Sequence, residues 1–133
     1  MNILLDTHIA IWALIDSPKL TRKARDLIID PDNTIYYSVV SVWEVMLKHA
    51  VHPESIDLTA EVFSAACNEA GFVSLELKEK HVLEAETVNA PQVADHKDPF
   101  DRMLLAQAKA EKMSLLTNDR ILPLYGEKCV ICQ

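Results

Sequence analysis

The chain reads as an α/β domain of three layers, α/β/α, with a central, mostly parallel sheet. Three observations predict it. Short apolar runs of strand length alternate with amphipathic stretches of helix length from one end to the other. The alternation calls for right-handed crossovers that lay helices on both faces of one sheet. The 133 residues, half of them apolar and only two of them glycine, amount to one domain with a real core and no disordered linker.

Taken in order, Asn2 to Leu5 reads as a strand and Thr7 to Ile15 as a helix. A second helix, Leu20 to Ile29, ends at the turn Asp30-Pro31-Asp32-Asn33. Thr34 to Tyr37, β-branched and aromatic, is the next strand, and Ser38 to Ala50 is a helix closed before Pro53. Thr59 to Ala70 is a helix with Thr59 as N-cap and Gly71 as its stop. Val73 to Leu77 reads as a strand, Lys78 to Thr87 as a helix and Asn89 to Lys97 as a long polar loop. Pro99 to Lys112 is a helix, followed by strands at Ser114 to Thr117 and Lys128 to Ile131. There is no internal repeat and no domain boundary, so residues 1–133 form a single unit.

The composition narrows function. A net charge of −7 argues against a broad basic surface for nucleic acid, though not against a local one. Acids gathered around a divalent cation would also make the free protein look acidic. No stretch has the length of a membrane span, and the N-terminus lacks the basic start and cleavage pattern of a signal peptide, so the cytoplasm is the expected location. Cys67, Cys129 and Cys132 are an odd number, which argues against a secreted disulfide framework; Cys129-Val-Ile-Cys132 has no partner pair and reads as ordinary buried thiols.

Four acids are placed where an apolar pattern does not want them. Asp6 ends the first strand, and in parallel sheets sites form beyond the carboxyl ends of the strands. Asp119 follows the strand Ser114-Leu-Leu-Thr117 and can reach the same edge. Glu44 lies in the apolar helix after the second strand, and Asp101 in the first turn of the helix opened by Asp98-Pro99. Each acid has a plain structural reading. Ser41 and Glu44 match a capping box, Asp98 an N-cap with Pro at N1, Asp101 a dipole-favoured first-turn acid, Asp6 a cap and Asp119 a turn. Together at one edge they would repel unless a cation lay among them, and hard oxygen ligands suit Mg2+ or Mn2+.

Met1-Asn-Ile-Leu-Leu-Asp-Thr-His8, Ser38-Val-Val-Ser-Val-Trp-Glu44, His96-Lys-Asp-Pro-Phe-Asp-Arg-Met-Leu-Leu-Ala-Gln-Ala108 and Leu115-Leu-Thr-Asn-Asp119 resemble, in order and over nearly the whole chain, a PIN domain, most of all the VapC-like toxins of bacterial toxin–antitoxin pairs. The resemblance implies a metal-dependent endoribonuclease that hydrolyses phosphodiester bonds in RNA with metal-activated water. Its acidic quartet falls on Asp6, Glu44, Asp101 and Asp119. Asp6 and Asp101 are the first choice for metal ligands, Asp119 completes the shell directly or through water, and Glu44 takes a second ion or orients the attacking water. Asp98 is an ambiguous fifth, ligand or cap. Thr7 and Thr117 would supply the orienting hydroxyls found near the first and last acids. A homodimer and a cognate antitoxin over the acidic groove are also implied.

The remaining residues are less specific. No histidine pattern suits zinc, and His8, His49, His52, His81 and His96 read mostly as surface or partly buried. Lys48, Lys97, Arg102 and Arg120 stand near the acids, where they meet RNA phosphates or make ordinary salt bridges. Trp12 and Trp43 read as core or subunit-interface residues before base-stacking ones. Two rivals stand beside the nuclease reading: a catalytically silent PIN-like RNA- or protein-binding module, and a receiver-type phosphoacceptor domain. The second lacks the acidic pair before Asp6, and Arg120 stands where it would want a lysine.

Overall fold

The computed structural model describes residues 1–89 and 98–133; the stretch 90–97 lies outside the described residues, and with it most of the expected polar loop, His96 and Lys97. The order is β1 (Asn2–Leu5), α1 (Thr7–Leu14), α2 (Arg22–Ile29), β2 (Thr34–Ser38), α3 (Val39–Val51), α4 (Ala60–Glu69), β3 (Val73–Leu75), α5 (Glu79–Ala85), α6 (Pro99–Glu111), β4 (Ser114–Thr117), a 3-10 turn (Leu122–Tyr125) and β5 (Val130–Cys132).

The five strands pair in the order β3-β2-β1-β4-β5, and every pairing is parallel. β1 therefore sits at the centre. The chain builds outward from it through β2 and β3, then returns to its other side for β4 and β5. The direction of winding reverses between β1 and β4, the kind of crevice in which parallel sheets form ligand sites.

β1 shows why the sheet is covered on both faces. Successive side chains alternate across a strand. Ile3 and Leu5 enter one core with Ile9, Ala24, Phe63 and Leu116, on the side of α1, α2 and α4. Leu4 enters the other with Leu104, Leu105 and Leu115, on the side of α6. All three β1 residues are fully buried, which a strand covered on a single face could not achieve.

The helix starts are set by side-chain caps. Asp6, Thr21, Ser38, Thr59 and Asp98 each accept a backbone N–H of the first turn they precede. Gly71, at φ +84°, ends the α4 segment where expected. Two differences follow from tertiary pairing. β5 is displaced toward the C-terminus because its register is fixed by β4, Leu115 facing Val130 and Thr117 facing Cys132. Leu122–Tyr125 forms a 3-10 turn, buried through Leu122, where the sequence pattern gave no element.

The three thiols are free. Cys67 is fully inside the core, and burial pushes its pKa up to about 12. His81 is not a surface residue: it is fully buried. Its Nδ1 accepts the Lys78 N–H at 3.0 Å, so the proton is on Nε2, which donates to Glu111 at 2.9 Å.

Candidate metal centre

The carboxyl ends of β1 and β4 place the first and last acids side by side. Asp6 follows β1 directly, and its backbone N–H continues the ladder to the Leu116 carbonyl at 3.0 Å. Its side chain is both cap and site residue. Oδ1 accepts the Ile9 N–H at 3.0 Å and Oδ2 accepts the Thr117 hydroxyl, leaving one lone pair on each oxygen for a ligand. Thr117 in turn accepts the Asp119 N–H at 3.0 Å, and Asp119 Oδ1 accepts the Ile121 N–H at 2.9 Å. Asp119 does belong to a turn, as its plain reading has it. The turn also fixes it beside Asp6.

Glu44 is not part of a capping box. Ser38, at the end of β2, is the N-cap of α3, and its hydroxyl accepts the Val40 N–H at 2.9 Å. This puts Ser41 at the third helical position and Glu44 a turn deeper, where it is only 2 % exposed. Across the interface with α1, Thr7 Oγ1 lies 2.6 Å from Glu44 Oε1 and 2.9 Å from Ser41 Oγ. A hydroxyl has one proton. Since a carboxylate only accepts, Thr7 donates to Glu44 and accepts from Ser41. The other Glu44 oxygen is paired with Lys48, one turn along the same helix.

Asp98 is the cap of α6. Its Oδ1 accepts the N–H groups of Phe100 and Asp101 at 2.9 and 3.2 Å, with Pro99 at N1, and Asp101 follows at the third helical position. Asp6, Glu44, Asp98, Asp101 and Asp119 line one cavity of about 350 Å3, together with His8, Lys48, Asn118 and Arg120. All five acids singled out in the sequence meet at this edge. Of the four cations named there, Lys48 and Arg120 reach the cavity. Arg102 instead donates to the Ala85 carbonyl at 3.0 Å, and Lys97 lies outside the described residues.

Their electrostatics record the crowding. The Asp101 carboxyl is pushed up to about 8, first by burial, then by the charges of Asp98 and Asp6 and by the hydrogen bond and charge of Asp119. Burial also raises Asp6, against hydrogen bonds from Ile9 and Thr117 and the charge of His8, with Glu44 adding to the rise. Without a cation one of these acids keeps its proton. Among the described residues, no group of three or more Asp, Glu, His or Cys side chains is already arranged to hold a metal ion. The donor set is nonetheless the right chemistry for one: hard carboxylate oxygens with open lone pairs around a polar cavity, and a protonation that a dication would displace. Lys48 makes the salt bridge that was one of its two sequence readings, with Glu44 at (i, i+4) as the partner the sequence analysis did not name; Ser41 as the partner of Thr7 was missed.

Among solved structures, a chain of VapBC2 from Rickettsia felis, bound to a DNA fragment from its promoter, has a TM-score of 0.68 at 16% identity, with 100% of this chain and 98% of that one covered. A chain of VapBC-1 from nontypeable Haemophilus influenzae has a TM-score of 0.67 at 16% identity, covering 99% and 98%. FitAcB from Neisseria gonorrhoeae gives 0.60 at 18% identity, covering 97% and 96%. At these identities the likeness is one of fold. No curated protein sequence matches the chain. The family model described as PIN domain matches residues 3–128, nearly the whole length, and the chain belongs to the PIN domain family.

Proposed function

We propose that the protein is a metal-dependent endoribonuclease, the toxin of a type II toxin–antitoxin pair, with Asp6, Glu44, Asp101 and Asp119 as its catalytic carboxylates and Mg2+ or Mn2+ as its cofactor. The observation that carries this reading is convergence: acids from four separate segments meet in one cavity at the β1/β4 crevice, where burial first and then the neighbouring acids push the Asp101 carboxyl up to about 8. Asp6, Asp101 and Asp119 would hold the ion, with Asp98 at their side. When bound, it would supply positive charge against the phosphodiester and acidify a water.

The chain's own groups do the positioning. Thr117 and the Ile9 N–H hold Asp6 in one rotamer, the Ile121 N–H holds Asp119, and Thr7 with Ser41 fixes Glu44. Glu44 then stands where it can orient a water or accept its proton. Lys48 and Arg120 give an otherwise acidic cavity a cationic rim for RNA phosphates. Among the described residues, no side-chain nucleophile with a base beside it lines the cavity, which favours water as the attacking group.

A cognate antitoxin is the expected partner, in keeping with toxin–antitoxin complexes of the same fold. No helix among the described residues is long and apolar enough to cross a membrane, and the cytoplasm remains the proposed location. The homodimer has a surface available: Val39, Trp43, Met46 and Val51 are 41 to 69 % exposed along α3, and Trp43 stands edge-on to Phe100 at 5.0 Å. Sedimentation is expected to give a dimer, and Trp43→Glu is expected to shift it to monomer.

The central test is cleavage of an RNA pool. With Mg2+ or Mn2+ the purified protein is expected to cut it, and EDTA or Asp6→Asn to abolish cutting. Cleavage indifferent to chelation would overturn the mechanism. Tight RNA binding without turnover in several metals would point instead to a silent binding module.

A further inference from the structure

Resting on that reading, we infer that the Lys48 ammonium takes the place of a second divalent ion, so that the site takes one dication, held by Asp6, Asp101 and Asp119, while Glu44 is kept as a positioning group outside its shell. The argument is one of charge. Both oxygens of Glu44 are engaged from opposite sides: Oε1 accepts from Thr7 at 2.6 Å, and Oε2 is ion-paired to Lys48. The glutamate is buried, so its charge has no water to fall back on and depends on these partners. Asp6 likewise has one partner on each oxygen, but these are a backbone N–H and the Thr117 hydroxyl, both neutral, where Glu44 has an ammonium.

Lys48 is well suited to be a resident cation. It sits one turn beyond Glu44 on α3, the favourable order for a helical pair. Its side chain is 37 % exposed, at the mouth of the cavity, and Nζ lies 5.9 Å from the centre of the Phe100 ring, which steadies the chain from the other side. A dication entering beside Glu44 would have to evict this ammonium and face its charge at close range. A dication among the three aspartates meets the charge of three carboxyl groups that line one cavity.

Two cations of unlike kind then share the cavity: one exchangeable, one built into α3. The arrangement also gives Lys48 a place in the chemistry. It holds the Glu44 carboxylate in place, making Lys48 a positioning residue rather than a ligand.

Counting bound metal tests this. Mn2+ titration by calorimetry and by the electron paramagnetic resonance signal of free Mn2+ is expected to give one ion per wild-type chain. Lys48→Met is expected to gain a second, weaker one, with a signature of two coupled ions, while Lys48→Arg stays at one. Adding Glu44→Gln to Lys48→Met should remove the second ion and keep the first. Thermal melts check that each variant is folded. Two ions in the wild type, or one in a folded Lys48→Met, would overturn the inference while leaving the nuclease reading intact. A wild type that binds no Mn2+ would overturn both. If Lys48→Met does not fold, the wild-type count alone decides.

Discussion

Asp101→Asn is expected to abolish RNA cleavage and, unusually for a buried polar site, to leave the metal-free protein as stable as the wild type or more so at pH 8. Asparagine keeps the shape but gives up the charge that attracts a dication. Losing a metal's electrostatic contribution to the transition state removes several kcal/mol. A loss of about 4 kcal/mol is about a thousandfold in rate. A rate within about tenfold of wild type would mean that Asp101 does not hold the ion.

The stability half follows from the same crowding. The Asp101 carboxyl rises from 3.8 to about 8 on folding, with burial as the first cause and its acidic neighbours next. Between those values the folded chain keeps a proton that the unfolded chain has released. Stability therefore falls as pH rises through the window and levels off above about 8. Asparagine does not titrate, so the melting temperatures of wild type and variant should part as pH goes from 4 to 8, the wild type becoming relatively weaker. Mn2+ should restore the wild type at pH 8 and do little for the variant. The helix N-terminus favours a negative charge at this position, but by less than burial and three nearby carboxyl groups disfavour it. Parallel pH profiles would show that Asp101 ionises freely.

The second large effect is expected far from the acids. Phe63 is fully buried in the core on the α1–α4 side and meets Tyr37 edge-on, at 6.3 Å between ring centres. Phe63→Ala removes a whole ring from a close-packed interior and is expected to cost about 3–5 kcal/mol. Domains of this size have only about 5–15 kcal/mol in total. The melting temperature should fall by on the order of 10 °C or more. Since α4 packs on α3, the helix that carries Glu44 and Lys48, activity should fall at lower temperature than the wild type's does. A melting temperature within about 3 °C of wild type would contradict the packing described here.

The parts of this structure that were legible in the sequence are those encoded locally. Apolar runs gave all five strands, and Asp6, Thr59 and Asp98 announced their helices because a cap is a short-range device. The rule that sites gather at the carboxyl ends of parallel strands then brought Asp6 and Asp119 together. Glu44 was harder. Ser-x-x-Glu has the same form whether it opens a helix or sits inside one, so it offered a capping box at Ser41 even though the helix was read from Ser38, which the pairing of β2 and the cap at Ser38 bear out. Its bond to Thr7 spans 37 residues, beyond any local pattern. His81 and Gln107 were hidden for a related reason. Both are polar residues in helices with charged neighbours, and a fully buried amide or imidazole is recognised only when its partners are known. Element edges such as those of β5 depend on a neighbouring strand's register.

The Ser38 hydroxyl, besides capping α3, lies 2.5 Å from Gln107 Oε1, while the Gln107 amide reaches the Glu76 carbonyl at 3.3 Å. The backbone bearing Glu44 is thus tethered below the cavity to the helix bearing Asp101. An ion bound at the proposed site would find its surroundings already assembled at the level of the main chain, so little ordering entropy would be lost on binding and any adjustment would fall to side chains. Metal uptake should accordingly look like closure of a few side chains over a rigid frame, with nearly the same amide exchange in the helices before and after.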